Sequence, residues 1–396
     1  MKLSNKVEDC SLSPIRKFYP FAHKAEQRGL KIHHLNIGQP DIETPSAYFE
    51  AISAYREEVL SYAPSSGVPA LIEAIRNYYA RLGVPYEPED ILITSGGSEA
   101  LLMAMLCILD EDSEVLVPEP FYPNYHTFIR MAGGQIRPIP TTPEDGYRYA
   151  QRERIEPLIN EKTRALLITN PGNPTGTVLS QEEIRLLGDI AKEHDLYLIC
   201  DEVYREFIYD DEALTSAATL QDLSENLVIV DSVSKRFSAC GARVGALLSR
   251  NEAFMEGAMK LAQSRLSVAT LDQVGAAALY RTKPSYFKAT RREYQHRRDI
   301  CYKKLKEIPG VVVTKPSGAF YMMAKLPVEN AEAFQMFLLK EFNYEGETVM
   351  FAPGGGFYAT EGAGKSEVRI AYVTEAAELE RALEVLRRGL EAYNNK

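Results

Sequence analysis

Between Asp90 and Ser249 the chain repeats one pattern: a short apolar run rich in β-branched residues, a turn, then a stretch with apolar residues at helical spacing. The runs are ILIT from Ile91, EVLVP from Glu114, QIRPIP from Gln135, ALLIT from Ala165, LYLIC from Leu196, LVIVDS from Leu227 and ALLS from Ala246. Short strands alternating with helical segments imply βαβ crossovers and a mostly parallel sheet with helices on its faces. The expected unit is one large α/β domain, residues 46–275. In such a sheet, ligands gather beyond the carboxyl ends of the strands. The residues that follow each run are therefore where chemistry is sought.

The flanks read differently. An arm leads to a first helix, Ile15 to Arg28, and to an extended piece, His33 to Ile37, that ends in Gly38-Gln39-Pro40. Gly38 allows the backbone to approach a ligand closely. Helical spacing is expected over Ala47 to Glu58 and Ala70 to Leu82, with Tyr62 at the mouth of the loop between them. After a long helix from Pro284 to Glu307 come two strands around Pro-Ser-Gly, a helix from Ala331 to Glu341, two more extended runs and an amphipathic helix from Glu375 to Tyr393. Residues 276–396 therefore read as a smaller α+β domain, consistent with a length of 396 residues divided between two cores.

Charge and cysteine usage narrow the partners. The formal net charge of −10 and the lack of a long basic run disfavour a nucleic-acid surface. Five scattered cysteines without C-x-x-C spacing signal neither a disulfide framework nor a zinc site, and the six histidines show no ligand spacing. No metal is expected. The start MKLSNKVEDCSLS has no apolar signal core, and no uninterrupted apolar stretch of about 18 residues occurs, so a cytoplasmic protein without a membrane span is expected.

Six strand-end motifs carry candidate chemistry. Ser95-Gly96-Gly97-Ser98 opens a helix, where free N–H groups and the positive helix end suit a phosphate, although glycine turns before helices are common in any protein. Tyr122, in VPEPFYPNY, is placed to stack on a flat ring, or else to pack on its own prolines. In NPGNPTG, Asn170 and Asn173 each precede a proline, which favours extended geometry and leaves an amide for a ligand oxygen or for an Asx-turn. Asp201 directly follows an apolar run, where a carboxylate needs a cation; Tyr204 lies three residues on. In DSVSKRFSACGARVG, Ser232 and Ser234 alternate along an emerging strand that Lys235 ends, and Arg243 follows eight positions later. Arg369 alternates with apolar neighbours in EVRIAYV and wants either a substrate anion or a structural carboxylate.

Jointly these residues specify one ligand. It has an aldehyde for Lys235, a ring cation for Asp201, a phenolic oxygen for Asn173 and Tyr204, a flat face for Tyr122, and a phosphate for Gly97, Ser98, Ser232 and Arg243. Pyridoxal 5'-phosphate has all five features.

The ordered set SGGSEAL, EPFYPNY, NPGNPTG, DEVY, SVSK with Gly-x-Arg-x-Gly, PSGAFY and VRIAYV resembles the fold-type I pyridoxal-phosphate enzymes. Specifically, it is similar to the class I/II aminotransferases of the aspartate aminotransferase type, from Leu35 to Arg369. The resemblance implies a seven-stranded sheet in the large domain, a small domain that joins residues 1–45 to 276–396, and a homodimer in which Tyr62 reaches the partner's phosphate. It further implies a Schiff base at Lys235, a pyridine nitrogen kept protonated by Asp201, and a substrate α-carboxylate held by Arg369 beside Gly38 and Asn173. Lys235, Asp201 and Tyr204 would form the catalytic set.

The implied reaction moves an amino group from an α-amino acid, aspartate or another, to a 2-oxo acid such as 2-oxoglutarate, through a pyridoxamine form. Two departures leave substrate choice open: Ala242 precedes Arg243, and SRLSVATLDQ lacks the asparagine and proline of the partner-facing loop. Arg265 is the one candidate for a side-chain carboxylate, against a simple surface role. A carbon–sulfur β-lyase would use the same cofactor residues. A non-catalytic aminotransferase-like sensing module is the reading from another class, and the short arm and acidic charge weigh against it.

Overall fold

Each apolar run of the central portion forms a strand in the computed structural model, which describes residues 1–10, 12–210 and 215–396. In chain order the strands are β1 (Lys31–His34), β2 (Ile91–Thr94), β3 (Glu114–Pro118), β4 (Gln135–Ile139), β5 (Thr163–Thr169), β6 (Tyr197–Asp201), β7 (Leu227–Ser232), β8 (Gly245–Leu248), β9 (Val312–Val313), β10 (Tyr321–Lys325), β11 (Glu347–Met350), β12 (Ala352–Pro353) and β13 (Glu367–Ala371). A 7-stranded sheet has the order β2-β8-β7-β6-β5-β3-β4. All its pairings are parallel except those of β8, which runs antiparallel to both β2 and β7.

Period-two alternation distributes the strand residues between two cores. Ile91, Ile93, Leu116, Leu166, Leu198 and Ile229 face one of them, which the helices Pro69–Ala80, Gln181–Glu193 and Thr270–Leu279 cover. Leu92, Val115, Val117, Leu167, Ile199 and Val230 face the other, beneath Gly96–Ile108, Asn124–Met131 and Glu252–Ser264. Burial on both faces explains why the runs read as nearly continuous apolar segments. Local signals fix the helix starts. Pro69 supplies a preset φ in the first turn of its helix, and Ser180 and Glu183 form a reciprocal capping box before Gln181–Glu193.

A third core gathers β10, β13 and the helices Pro284–Lys306, Ala331–Lys340 and Ala376–Asn394. A 4-stranded sheet, β12-β13-β10-β9, lies there, and β1 pairs in parallel with β11, so the N-terminal segment is laid against the last third of the chain. Among the described residues no helix is long and apolar enough to cross a membrane.

Three local expectations are corrected. The first long helix begins at Tyr19 rather than Ile15, because Pro20 sits in its first turn and residues 14–18 form turns. The next helix stops at Ser53 rather than Glu58; beyond it Glu57, Glu58, Val59 and Leu60 are exposed and no apolar stripe remains to bury. Lys235 does not end a strand. The strand ends at Ser232, whose hydroxyl accepts the Ser234 N–H at 3.1 Å and caps a helical turn, Val233–Arg236.

That turn is anchored by a buried ion pair. Arg236 and Asp231 are both fully enclosed and hydrogen-bonded to each other, and Asp231 also accepts from the Tyr79 hydroxyl at 3.1 Å. Removing one charge strands the other in a low-dielectric core. Arg236→Leu is therefore expected to destabilise the fold by about 3–5 kcal/mol, read as a lower denaturant midpoint in equilibrium unfolding. A midpoint equal to that of the wild type would show that Asp231 has other compensation.

Candidate active site

The carboxyl ends of β2, β6 and β7 open onto one cavity of about 560 Å³. Gly38, Gly97, Ser98, Tyr122, Asn173, Asp201, Tyr204, Ser232, Lys235, Arg243 and Arg369 all line it. Three sheets bring them together from 38 to 369: most follow the end of a strand, Arg243 lies in the turn before β8, and Arg369 lies on β13.

One end of the cavity is built for an anion. Gly97 and Ser98 lie in the first turn of the 13-residue helix Gly96–Ile108, so their N–H groups have no helical carbonyl to bond. Ser232 donates its hydroxyl to the Val244 carbonyl at 3.1 Å. Arg243 adopts the left-handed backbone conformation at φ 52°, and its guanidinium donates to the Cys240 and Ser95 carbonyls at 3.2 and 3.5 Å, with no carboxylate partner among the described residues. Close approach here requires glycine: a Cβ on Gly245 would meet the backbone of Gly96 and Gly97 at 2.5 and 2.7 Å.

The floor is the end of β6. Asp201, 5% exposed, accepts the Tyr125 hydroxyl at 2.7 Å and the Val203 N–H at 3.3 Å. No arginine or lysine pairs with it among the described residues. Burial pushes its carboxyl up to about 6 despite the Tyr125 hydrogen bond. A carboxylate so placed lacks a cation and faces a cavity where one can sit.

Above it stand the amine and a tyrosine pair. Lys235 Nζ donates to the Gly38 carbonyl at 2.9 Å and lies 3.9 Å from Cys240 Sγ. Asn173 Nδ2 donates to the Tyr204 hydroxyl at 3.3 Å, and the Tyr204 and Tyr321 hydroxyls are 3.0 Å apart. Gly38 admits this contact, because a Cβ there would overlap Tyr321. The Tyr122 ring stands at 89° to Tyr125, with centroids 5.5 Å apart.

Arg369 closes the far end. It is 2% exposed, its Nη1 donates to Asn173 Oδ1 at 3.0 Å, its Nη2 donates to the Asn36 carbonyl at 2.8 Å, and its Nε has no partner among the described residues. Burial lowers its pKa. A buried guanidinium held only by neutral acceptors is a ready receptor for a carboxylate.

Tyr62 is not brought to this cavity within its own chain: it is 80% exposed on the surface. Arg265 is neither free nor in the cavity, since Glu99 pairs with it at 3.2 Å and the Ile93 carbonyl accepts from it at 2.6 Å. Of the two Asn-Pro steps only Asn173 faces the cavity; the Asn170 side chain accepts the Leu179 N–H at 3.0 Å and closes its own loop. Tyr125, Tyr321, Asn36 and Arg16 stand at the site without a local signal of their own in the sequence. Tyr125 and Tyr321 stand inside the motifs EPFYPNY and PSGAFY, but nothing in those strings tells which aromatic turns inward.

Known proteins share this organisation. The family described as aminotransferase class I and II matches residues 31–386. An aspartate aminotransferase of Bacillus subtilis is 30% identical over 404 residues, covering 100% of both chains. An aromatic-amino-acid aminotransferase of Thermococcus litoralis is 33% identical over 97% of each. The solved structure of Thermus thermophilus aspartate aminotransferase with maleate superposes with a TM-score of 0.87 at 30% identity, covering 98% of this chain and 100% of the other.

Proposed function

The chain belongs to the class I and II aminotransferases, pyridoxal-phosphate enzymes, and from that premise we propose how its residues divide the work of transferring an amino group. When bound, the cofactor supplies an aldehyde for the amino group and an electron sink for the charge left at the substrate α-carbon. Gly97, Ser98, Ser232 and Arg243 would hold its phosphate, Tyr122 would cover the ring, and Asn173 and Tyr204 would meet its phenolic oxygen. Asp201 keeps the ring nitrogen protonated. Lys235 would hold the aldehyde carbon, and its amine is the group placed to take up and return a proton at the substrate α-carbon. Arg369 grips the α-carboxylate, with Gly38 and Asn173 beside it.

One observation carries this reading: a buried Asp201 carboxylate that no lysine or arginine among the described residues pairs with, in the same cavity as an amine and a guanidinium that has no carboxylate partner among them. The donor set fits a ligand that is cationic at one point and anionic at two. Aminotransfer rather than β-elimination is the activity, in keeping with the relatives named above.

The large unit is assigned to residues 46–275 and the small one to 1–45 with 276–396. A homodimer is supported by the apolar side chains Phe49, Val59, Leu60 and Tyr62, all well exposed along one short stretch. In that dimer Tyr62 would reach the partner's phosphate site. The five free cysteines fit a reducing, cytoplasmic setting.

The test is a screen of single amino acids against the holoenzyme, following the cofactor absorbance, with 2-oxoglutarate then added as acceptor. Conversion to the amine form of the cofactor by at least one donor, reversed by the acceptor, is the expected result. No conversion with any donor would sink the assignment, and pyruvate with sulfide release from cysteine would point to the lyase chemistry instead.

A further inference from the structure

Tyr321 lines the cavity from β10, 3% exposed, and none of the contacts assigned to the cofactor or the substrate uses it. Its hydroxyl has two oxygen neighbours among the described residues, the Tyr204 hydroxyl at 3.0 Å and the Gly38 carbonyl at 3.5 Å. The ring that carries it is held on several sides. The Arg369 guanidinium lies over it, 4.3 Å from the centroid, and the Tyr204 ring meets it edge-on at 80° with centroids 5.6 Å apart. At Gly38 a Cβ would come within 1.8 Å of the Tyr321 oxygen, so the chain there is shaped to admit this hydroxyl.

Counting hydrogens gives the hydroxyl a direction. A phenol oxygen has one proton to give and two lone pairs with which to accept. At Tyr204 one lone pair accepts the Asn173 Nδ2 donor at 3.3 Å. For Tyr321 the Gly38 carbonyl is the farther neighbour, and it already accepts Lys235 Nζ at 2.9 Å. Tyr321 therefore gives its proton to Tyr204 and fills the second lone pair. With both lone pairs occupied, Tyr204 acts only as a donor, and its own proton has the cavity as its outlet. Burial, with Tyr321 beside it, holds the Tyr204 phenol well above its ordinary value and keeps that proton in place. Two donors behind one hydroxyl also polarise it, which strengthens the hydrogen bond it gives in turn.

We propose that Tyr321 is a positioning residue that fixes the Tyr204 hydroxyl as a proton donor toward the phenolic oxygen of the cofactor. This inference rests on the pyridoxal-phosphate reading of the site and reaches one residue beyond the contacts that reading names. Tyr321 acts through Tyr204 alone.

The test uses holoprotein without substrate and follows the absorbance of the bound cofactor against pH in the wild type, Tyr321→Phe, Tyr204→Phe and the double variant. Tyr321→Phe removes only the hydroxyl and leaves the ring beneath Arg369. A phenolic oxygen that receives a weaker hydrogen bond keeps more negative charge, and a neighbouring acidic group then holds its proton to higher pH. The midpoint is expected to rise by about 0.5–1 pH unit in Tyr321→Phe, the equivalent of one ordinary hydrogen bond, and by more in Tyr204→Phe. In the double variant it is expected to equal that of Tyr204→Phe, because the Tyr321 hydroxyl has no effect once its acceptor is gone. KM for the amino donor should stay within about threefold in Tyr321→Phe.

A midpoint unshifted in Tyr321→Phe but shifted in Tyr204→Phe would overturn the proposal and leave the reading of the site intact. Additive shifts in the double variant would also overturn it, by giving Tyr321 a contact of its own with the cofactor. An unshifted midpoint in Tyr204→Phe, or a wild-type protein that takes up no cofactor, would refute the reading of the site and the proposal with it.

Discussion

Lys235→Ala is expected to lower the rate of amino-group transfer by about 10⁴-fold or more, the upper end of what a positioned general base contributes, while the fold stays intact. The geometry separates the two effects. Among the described residues Lys235 Nζ makes a single close oxygen contact, to the Gly38 carbonyl at 2.9 Å, and has no carboxylate partner. Deleting it therefore strands no buried counter-charge, unlike deletion of its neighbour Arg236. The turn that carries it remains pinned by the Arg236–Asp231 pair and by the Ser232 cap. Thermal unfolding of the cofactor-free variant should match that of the wild type.

Two further measurements bear on that assignment. Borohydride, which makes a carbonyl–amine linkage permanent, should attach the cofactor to the peptide containing Lys235 in the wild type and to no peptide in the variant. A small primary amine added to the variant should restore a little of the lost rate by carrying the proton that Lys235 no longer carries. Turnover of Lys235→Ala near the wild-type rate would mean that another group performs both tasks. Cys240, 3.9 Å from the amine, would be the first to examine.

How much of this could be read from the chain alone follows from the range of the interactions involved. Strand positions were legible because burial on both faces of a sheet leaves an unbroken apolar run, and the turn at each run's end marks where polar groups can meet. The small domain was harder. β9 and β12 are two residues each, too short to show a period, and their pairings with β10 and β13 join positions 11 to 17 apart. The start at Tyr19 and the stop at Ser53 turned on one proline and on the loss of an apolar stripe, features that a periodicity template averages over.

At the site, residues adjacent to a strand end announced themselves, whereas those contributed from elsewhere in the chain did not. Tyr125 reaches Asp201 from 76 positions away, and Asn36 reaches Arg369 across 333. No local spacing encodes such meetings. Arg16 and Arg265 show the same limit in opposite directions. Each stands among mixed polar and apolar neighbours, and only the three-dimensional surroundings distinguish the one without a carboxylate among the described residues from the one that already holds Glu99.

Asp201→Asn is expected to cost on the order of 10²- to 10³-fold in rate, comparable to removing one preorganised electrostatic partner from an active site, and to raise the stability of the cofactor-free protein at neutral pH. Both effects come from one property. Burial lifts the Asp201 carboxyl to about 6, above its ordinary value of 3.8. Between roughly pH 4 and 6 the native chain thus binds a proton that the unfolded chain has released, so its stability falls as pH rises through that window and the full penalty applies above it. A neutral amide keeps the Tyr125 hydroxyl as donor, gives up the longer bond from the Val203 N–H at 3.3 Å and escapes the penalty, a net gain below the roughly 3 kcal/mol that the shift itself represents at pH 7–8.

The same charge that weakens the empty protein is what a protonated ring nitrogen requires. Asparagine offers it an N–H in place of a lone pair, the nitrogen gives up its proton, and the electron sink weakens. Cofactor retention through the phosphate-binding turn, Arg243 and Lys235 should persist. The decisive pair of measurements is denaturant unfolding of cofactor-free protein at pH 4.5 and 7.5 together with the half-reaction rate at pH 7.5. A variant with wild-type kinetics would remove Asp201 from the chemistry. One that lost stability at pH 7.5 would show that the carboxylate is already compensated by the protein, and the argument from an unpaired buried charge to a cationic ligand would fail with it.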